Sequence, residues 1–215
     1  MNKSRKIKRN RKQTNNKTKK MKYGGVKKKP SKKPEYIRKD AILSADNVYR
    51  YRLERIWDDD KPKVLFIMLN PSTADALEDD ATIGKIVKFA HRWGYGGVYV
   101  ANLYAFRSRY PKDLKTTSDP IGPENREHIQ SLLTSVDRVF YAWGNDEIEP
   151  LWLRELVKEP FCIALSTKGI PRHPLYLRDD SEPFLYLRDA CQGQAAAAAA
   201  AAEAEAEAEA EAEGE

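Results

Sequence analysis

The chain has 215 residues, with 38 Lys and Arg against 32 Asp and Glu for a formal net charge of +6, and that charge is unevenly spread. Residues 1–39 hold 18 basic residues and one acid, a net +17. Residues 195–215 hold seven Glu and no base, and residues 40–194 hold 20 basic and 24 acidic residues, a net −4. The basic character therefore belongs to a segment rather than to a folded face. Two cysteines, Cys162 and Cys191, are too few to make a zinc site or an iron–sulfur cluster by themselves, and no apolar run has membrane-spanning or signal-peptide character. The expectation is a soluble, intracellular protein in which Cys162, inside an apolar run, is a small buried hydrophobe.

Residues 1–39 have almost no apolar content, and their "YGGVKKKPSKKP" supplies turn and breaker residues, so a disordered basic tail is expected. Such a tail binds nucleic acid non-specifically and with strong salt dependence, or acts as a nuclear-import signal, or merely solubilises. Residues 40–194 are read as one αβα domain and residues 195–215 as an Ala/Glu low-complexity tail, at best a fraying helix because its glutamates repel one another.

Within the domain, "VYRYRLERIW" (48–57) alternates apolar with charged residues, the mark of a half-buried antiparallel strand or hairpin. "KVLFIML" (63–69) is continuously apolar, as in a strand covered on both faces. "TIGKIVKFAHRWG" (82–94) sets Ile83, Ile86, Val87, Ala90 and Trp93 on one helical face, with Gly94 as C-cap. "GVYVANLYAF" (97–106) reads as a strand, "GPENREHIQSLL" (122–133) as a helix and "DRVFYAWG" (137–144) as a third strand of the series. "EPLWLRELVK" (149–158) and "FCIALST" (161–167) add another helix and strand, and the second half of the near-repeat "PLYLRDD"/"PFLYLRDA" reads as a final strand or a chance duplication. The alternation predicts a three-layer αβα sandwich around a mainly parallel four-stranded sheet.

Ligands of such sheets sit beyond the carboxyl ends of the strands. The residues there are Asn70, Pro71 and Ser72 after the first strand, and Asn102, Arg107 and Arg109 after the second. Trp143 to Asn145 follow the third, and Lys168 to His173 the fourth. The loop "STADALEDDAT" adds Asp75, Glu78, Asp79 and Asp80, which could hold Mg²⁺ through a phosphate-bearing ligand, form a solvated loop, or favour the start of the next helix.

"LNPSTADALEDDATIGK", "GYGGVYVANLYAFRSRYP", "FYAWG" and "GIPRHPLYL", in that order, resemble the family catalogued as domain of unknown function 1643, across roughly residues 45–190. The same four stations are similar to those of the uracil-DNA glycosylase superfamily, a four-stranded parallel αβα sandwich. That resemblance implies that Asn70 orients an attacking water, Asn102 reads a base edge and His173 polarises a base carbonyl. Met68 departs from it, standing where those enzymes have glycine, and "HPLYL" lacks the small residues of their intercalating loop. The basic leader resembles those on proteins of large DNA viruses, which implies a host nucleus or a virion. Three functions stand as expectations: a glycosylase-like hydrolase acting on a modified or damaged base, a protein that binds or processes nucleotides or nucleosides, and a non-enzymatic nucleic-acid-binding or virion-associated protein that works through its tail.

Overall fold

The computed structural model describes residues 33–72, 78–144 and 147–188, all within one compact unit, Ser31–Glu215. They form a mixed α/β fold whose single sheet has seven strands in the order β1-β2-β4-β3-β5-β6-β7. The strands are β1 (Arg38–Leu43), β2 (Arg50–Ile56), β3 (Lys63–Met68), β4 (Gly97–Asn102), β5 (Arg138–Tyr141), β6 (Phe161–Cys162) and β7 (Phe184–Leu185), and the helices are α1 (Ala81–Arg92), α2 (Asn125–Leu133) and α3 (Leu151–Leu156).

The sheet is parallel at its centre, where β3 pairs with β4 and β5 and β5 pairs with β6, and antiparallel at both ends. The expectation of four mainly parallel strands thus describes the centre only. A hairpin, β1–β2, extends one side and β7 the other. Residues 33–39, grouped in sequence with the basic tail, already include the start of β1.

The apolar run of β3 is split by the pleat. Val64, Phe66 and Met68 face α1, whereas Leu65 and Ile67 face α2 and α3. Helix α1 buries Ile83, Ile86, Val87, Phe89 and Ala90, a stripe recurring at three- and four-residue intervals. Asp80 caps its start, accepting a hydrogen bond from Ile83 N–H at 2.7 Å, and Gly94 follows its end at φ +93°.

The three parallel crossovers obey one geometric rule. The β3-to-β4 connection moves toward one end of the sheet with α1 on one face, and the β4-to-β5 and β5-to-β6 connections move the other way with α2 and α3 on the opposite face. A uniform hand for every crossover requires that division.

Strand β2 departs from its expected half-exposed pattern. Its charged residues other than Arg52 are buried as well as its apolar ones, with His128 of α2 stacked on Tyr51 and Asp79, just before α1, bound to Arg55. Glu54 is held by Arg38 Nε at 2.8 Å, and Arg55, 0 % exposed, by Asp79 at 2.6 Å.

Candidate functional site

Strands β3 and β5 are neighbours whose connections leave toward opposite faces, and in sheets of this kind the crevice outside the carboxyl ends at such a point is where ligands bind. The chain after β3 is fastened to the chain after β4. Leu103 N–H donates to Met68 O at 2.8 Å, Tyr104 N–H to Leu69 O at 3.0 Å, and Ser108 N–H to Pro71 O at 3.1 Å. Asn70 completes this fastening: its Nδ2 donates to Ser108 O at 2.9 Å and to Pro71 O at 3.2 Å, so its amide hydrogens are committed and Oδ1 is left to accept. Pro71 is buried and Ser72 half-buried at the end of the described segment.

Asn102, last residue of β4 and 2 % exposed, lies beside Met68 in the parallel register. Its carbonyl accepts from Asn125 Nδ2 at 3.0 Å, but its carboxamide forms no hydrogen bond among the described residues. Asn125, fully buried at the start of α2, also donates to Leu103 O at 3.2 Å and so fixes the rim of β4. It was missed in the sequence, where it reads as an ordinary first-turn residue.

Beyond β5, Gly144 adopts φ +101°, and its N–H donates to Pro171 O at 3.0 Å. A Cβ there would lie 3.8 Å from His173 Cβ, so the backbone conformation, more than lack of space, favours glycine. His173 is half-buried, and its Nδ1 accepts from Leu175 N–H at 3.4 Å. Burial lowers its pKa from the ordinary histidine value, the charge of Asp80 acting in the opposite sense. The neutral ring therefore carries its proton on Nε2.

Two further groups reach this side of the sheet from β2. Arg50 and Arg55 both sense the α1 cap: Arg55 is bound to Asp79, and Arg50 feels the charge of Asp80. Asp79 also accepts from Tyr36 Oη at 2.5 Å and pairs with Lys33. Although burial alone would raise the carboxyl, these three donors hold it below the usual carboxylate range. Arg107 is half-buried and donates from Nη1 to Asn47 O at 2.9 Å. Arg50 and Arg55 were missed because alternation with apolar residues reads as a solvated face; only the folded chain, which brings Asp79 and Tyr36 to that face, reveals the burial.

The other expected residues are dispersed. Trp143 turns into the core of the α2–α3 face, its indole N–H donating to Glu147 O at 2.8 Å and its ring centroid 4.5 Å from that of Tyr141. Lys168 and Arg109 are exposed, whereas Asp75 and Asn145 lie outside the described residues. Asp79 and Asp80 are engaged as described, and among the described residues no three His, Cys, Asp or Glu side chains are grouped to hold a metal ion. A separate groove of about 540 Å³ opens on the α2–α3 side, walled by Leu103, Tyr104, Ile121, Pro150 and Trp152 with Glu147 at its rim. Burial and then Glu147 push the Tyr104 phenol up to about 12.

No helix among the described residues is long and apolar enough to cross a membrane. Comparison with curated proteins and with solved structures finds no match, so the likeness to uracil-DNA glycosylases gains no support there. A family model described as "Protein of unknown function (DUF1643)" matches residues 50–175, more than half of the chain and every strand from β2 to β6, and the chain belongs to that family.

Proposed function

We propose that the crevice receives one nucleotide unit of a nucleic acid and that its chemistry is hydrolysis of the N-glycosidic bond of a modified or damaged base. The observation that carries this reading is the Asn102 carboxamide, which stands at a strand end with its donors and acceptor unused among the described residues and is not closed off from solvent. A base edge, with its alternating donors and acceptors, is a matched partner for a carboxamide left open in this way.

Two other groups support the same chemistry. Asn70 keeps Oδ1 available to accept from a water while its amide hydrogens are held by backbone carbonyls. It can orient that water but cannot take its proton, which leaves to solvent as the oxygen bonds to C1′. The C1′–N bond breaks with its electron pair passing to the base. The Nε2–H of neutral His173 is suited to donate to a base carbonyl as negative charge builds there. Without a general base, the step is slow, which suits a base already weakened by damage or mispairing. Residues 1–39, with their net +17, would hold the polyanion non-specifically.

The test is base release from oligonucleotides carrying uracil, mismatched thymine, hypoxanthine or hydroxymethylated pyrimidines. Release by the wild type that Asn70→Ala and His173→Ala both abolish is expected. Absence of release from every substrate by a folded wild-type protein would refute the hydrolase reading. Removal of residues 1–32, which spares Lys33, Tyr36 and β1, separates the tail's contribution: a crevice that reads a base retains residual binding to flipped-base substrates, whereas a protein that works only through its tail loses all affinity.

A further inference from the structure

Arg50 is a buried cation to which the described residues offer no hydrogen bond or ion pair. It lies in the irregular part of the β1–β2 hairpin, where Leu43 pairs with Arg50 but Ile42 pairs with Arg52, so Tyr51 is inserted as an extra residue. The side chains of Arg50 and Tyr51, neighbours in the strand, lie on opposite faces. Tyr51 stacks on His128 of α2 with centroids 4.8 Å apart, whereas Arg50 sits among the charges of Arg107, Asp80 and Arg55 on the α1 side.

The residue is only 7 % exposed, yet its side chain makes no hydrogen bond or ion pair among the described residues. Nor is it sealed in: the Nε atoms of Arg52 and Arg107 are among the buried polar atoms closed off from solvent, and no nitrogen of Arg50 is. The nearby carboxylates are committed elsewhere, Asp79 to Arg55, Tyr36 and Lys33, and Asp80 to the first turn of α1. Burial and then the like charge of Arg107 pull Arg50 down to about 10, which still leaves it charged at neutral pH.

A guanidinium held largely out of water, with its donors unused by the described residues yet open to approach, is suited to an anion, and its planar fork fits the oxygens of a phosphate group. We infer that Arg50 forms the centre of a phosphate-binding site at the β2 side of the crevice, with Arg107 contributing charge at its edge. The inference rests on the proposed reading only for the source of the phosphate, a nucleotide unit rather than free phosphate.

The test uses the full chain, titrated with inorganic phosphate while chloride holds the ionic strength constant, with thermal unfolding and the Arg Nε resonances as readouts. One saturable site is expected, seen as a rising Tm and a shift of a single Nε resonance that is missing in Arg50→Met. Truncating one member of a buried charge-assisted contact should weaken phosphate binding at least about tenfold, and Arg50→Lys should restore only part because it offers a point charge. Residues 1–32 bind phosphate equally in all three proteins and cancel.

In phosphate-free chloride, Arg50→Met should unfold at the same temperature as the wild type or higher, because it removes a buried charge that no described residue pairs. A lower Tm for Arg50→Met there, with phosphate affinity unchanged, would overturn the inference and make Arg50 structural. A nucleoside monophosphate that binds better than inorganic phosphate identifies the source as a nucleotide; equal affinities identify free phosphate. Phosphate binding without base release would keep the site and remove the hydrolase. Base release with no phosphate site would do the reverse.

Discussion

The two ends of the sheet treat an arginine in opposite ways. Arg188, after β7, is fully engaged: Nε and Nη2 grip Glu149 at 2.9 and 2.7 Å, Nη1 donates to Lys158 O at 2.8 Å, and Nη2 also reaches Val157 O. Tyr141 Oη donates to the same Glu149 at 2.8 Å, closing a network that ties β5, α3 and β7 together. Arg50, in β2, has none of this. Where every donor finds an acceptor inside the chain, the arginine is explained by the fold; where none does, the explanation must come from outside it. Arg55 confirms the rule on the α1 side itself, since full burial there comes with Asp79 at 2.6 Å.

Breaking the satisfied pairs should therefore be far more damaging than removing Arg50. The largest effect is expected for Asp79→Ala, which takes the carboxylate away from a fully buried Arg55 and frees Tyr36 and Lys33. Loss of one partner of a buried ion pair typically costs about 3–5 kcal/mol, measurable by urea unfolding. This carboxyl has a folded pKa below its ordinary value of 3.8. Its contribution is complete above that value and is lost as pH falls through the lower folded one, so wild type and Asp79→Ala should converge below about pH 4. Curves that stay equally separated down to pH 2 would contradict the assignment. Glu149→Gln keeps the shape but removes the charge facing Arg188, and a loss of about 1.5–3 kcal/mol is expected in the same assay.

The sequence shows the centre of this sheet well and its flank badly, for physical reasons. A continuous apolar run such as Lys63–Met68 can be buried only on both faces, and the stripe of α1 has one solution, so both elements are legible. Strand β6 shrinks to Phe161–Cys162 because residues 163–171 fold back instead, with Arg172 N–H donating to Ala164 O and Leu165 bridging to Pro171. No local pattern announces that return. The rim residues Asn70, Asn102 and His173 could be located because strand ends are predictable, but whether their polar groups are committed depends on Ser108, Asn125 and Leu175, whose positions only the folded chain provides. Arg50 was hidden for a different reason: an alternating strand looks half-exposed until the chain that covers its second face is known.

A smaller effect probes how the β5 and β6 ends are joined. Gly144→Ala places a side chain at φ +101°, where an L-residue is strained by about 1–2 kcal/mol, although its Cβ would find ordinary room beside His173. Loss of stability by that amount, with base release or phosphate binding little changed, would show that the turn is rigid but not part of the ligand contact. Equal stability would mean that the backbone can relax out of the left-handed region.

The smallest effect, and the most informative about the unsatisfied side, is the acid response of His173. Its folded pKa lies below the ordinary 6.5, because burial disfavours the imidazolium more than the charge of Asp80 favours it. A histidine depressed in this way contributes stability that is complete above 6.5 and is lost as pH falls through the folded value, since the unfolded chain takes up the proton first. Protonation also removes the Nδ1 lone pair that accepts from Leu175 N–H. His173→Gln should therefore flatten the decline in Tm between about pH 6.5 and 5. His91 and His128 are present in both proteins and cancel. Parallel curves over that range would mean that His173 meets water as freely as an exposed imidazole, and a group so hydrated could not serve as a neutral donor in a closed crevice.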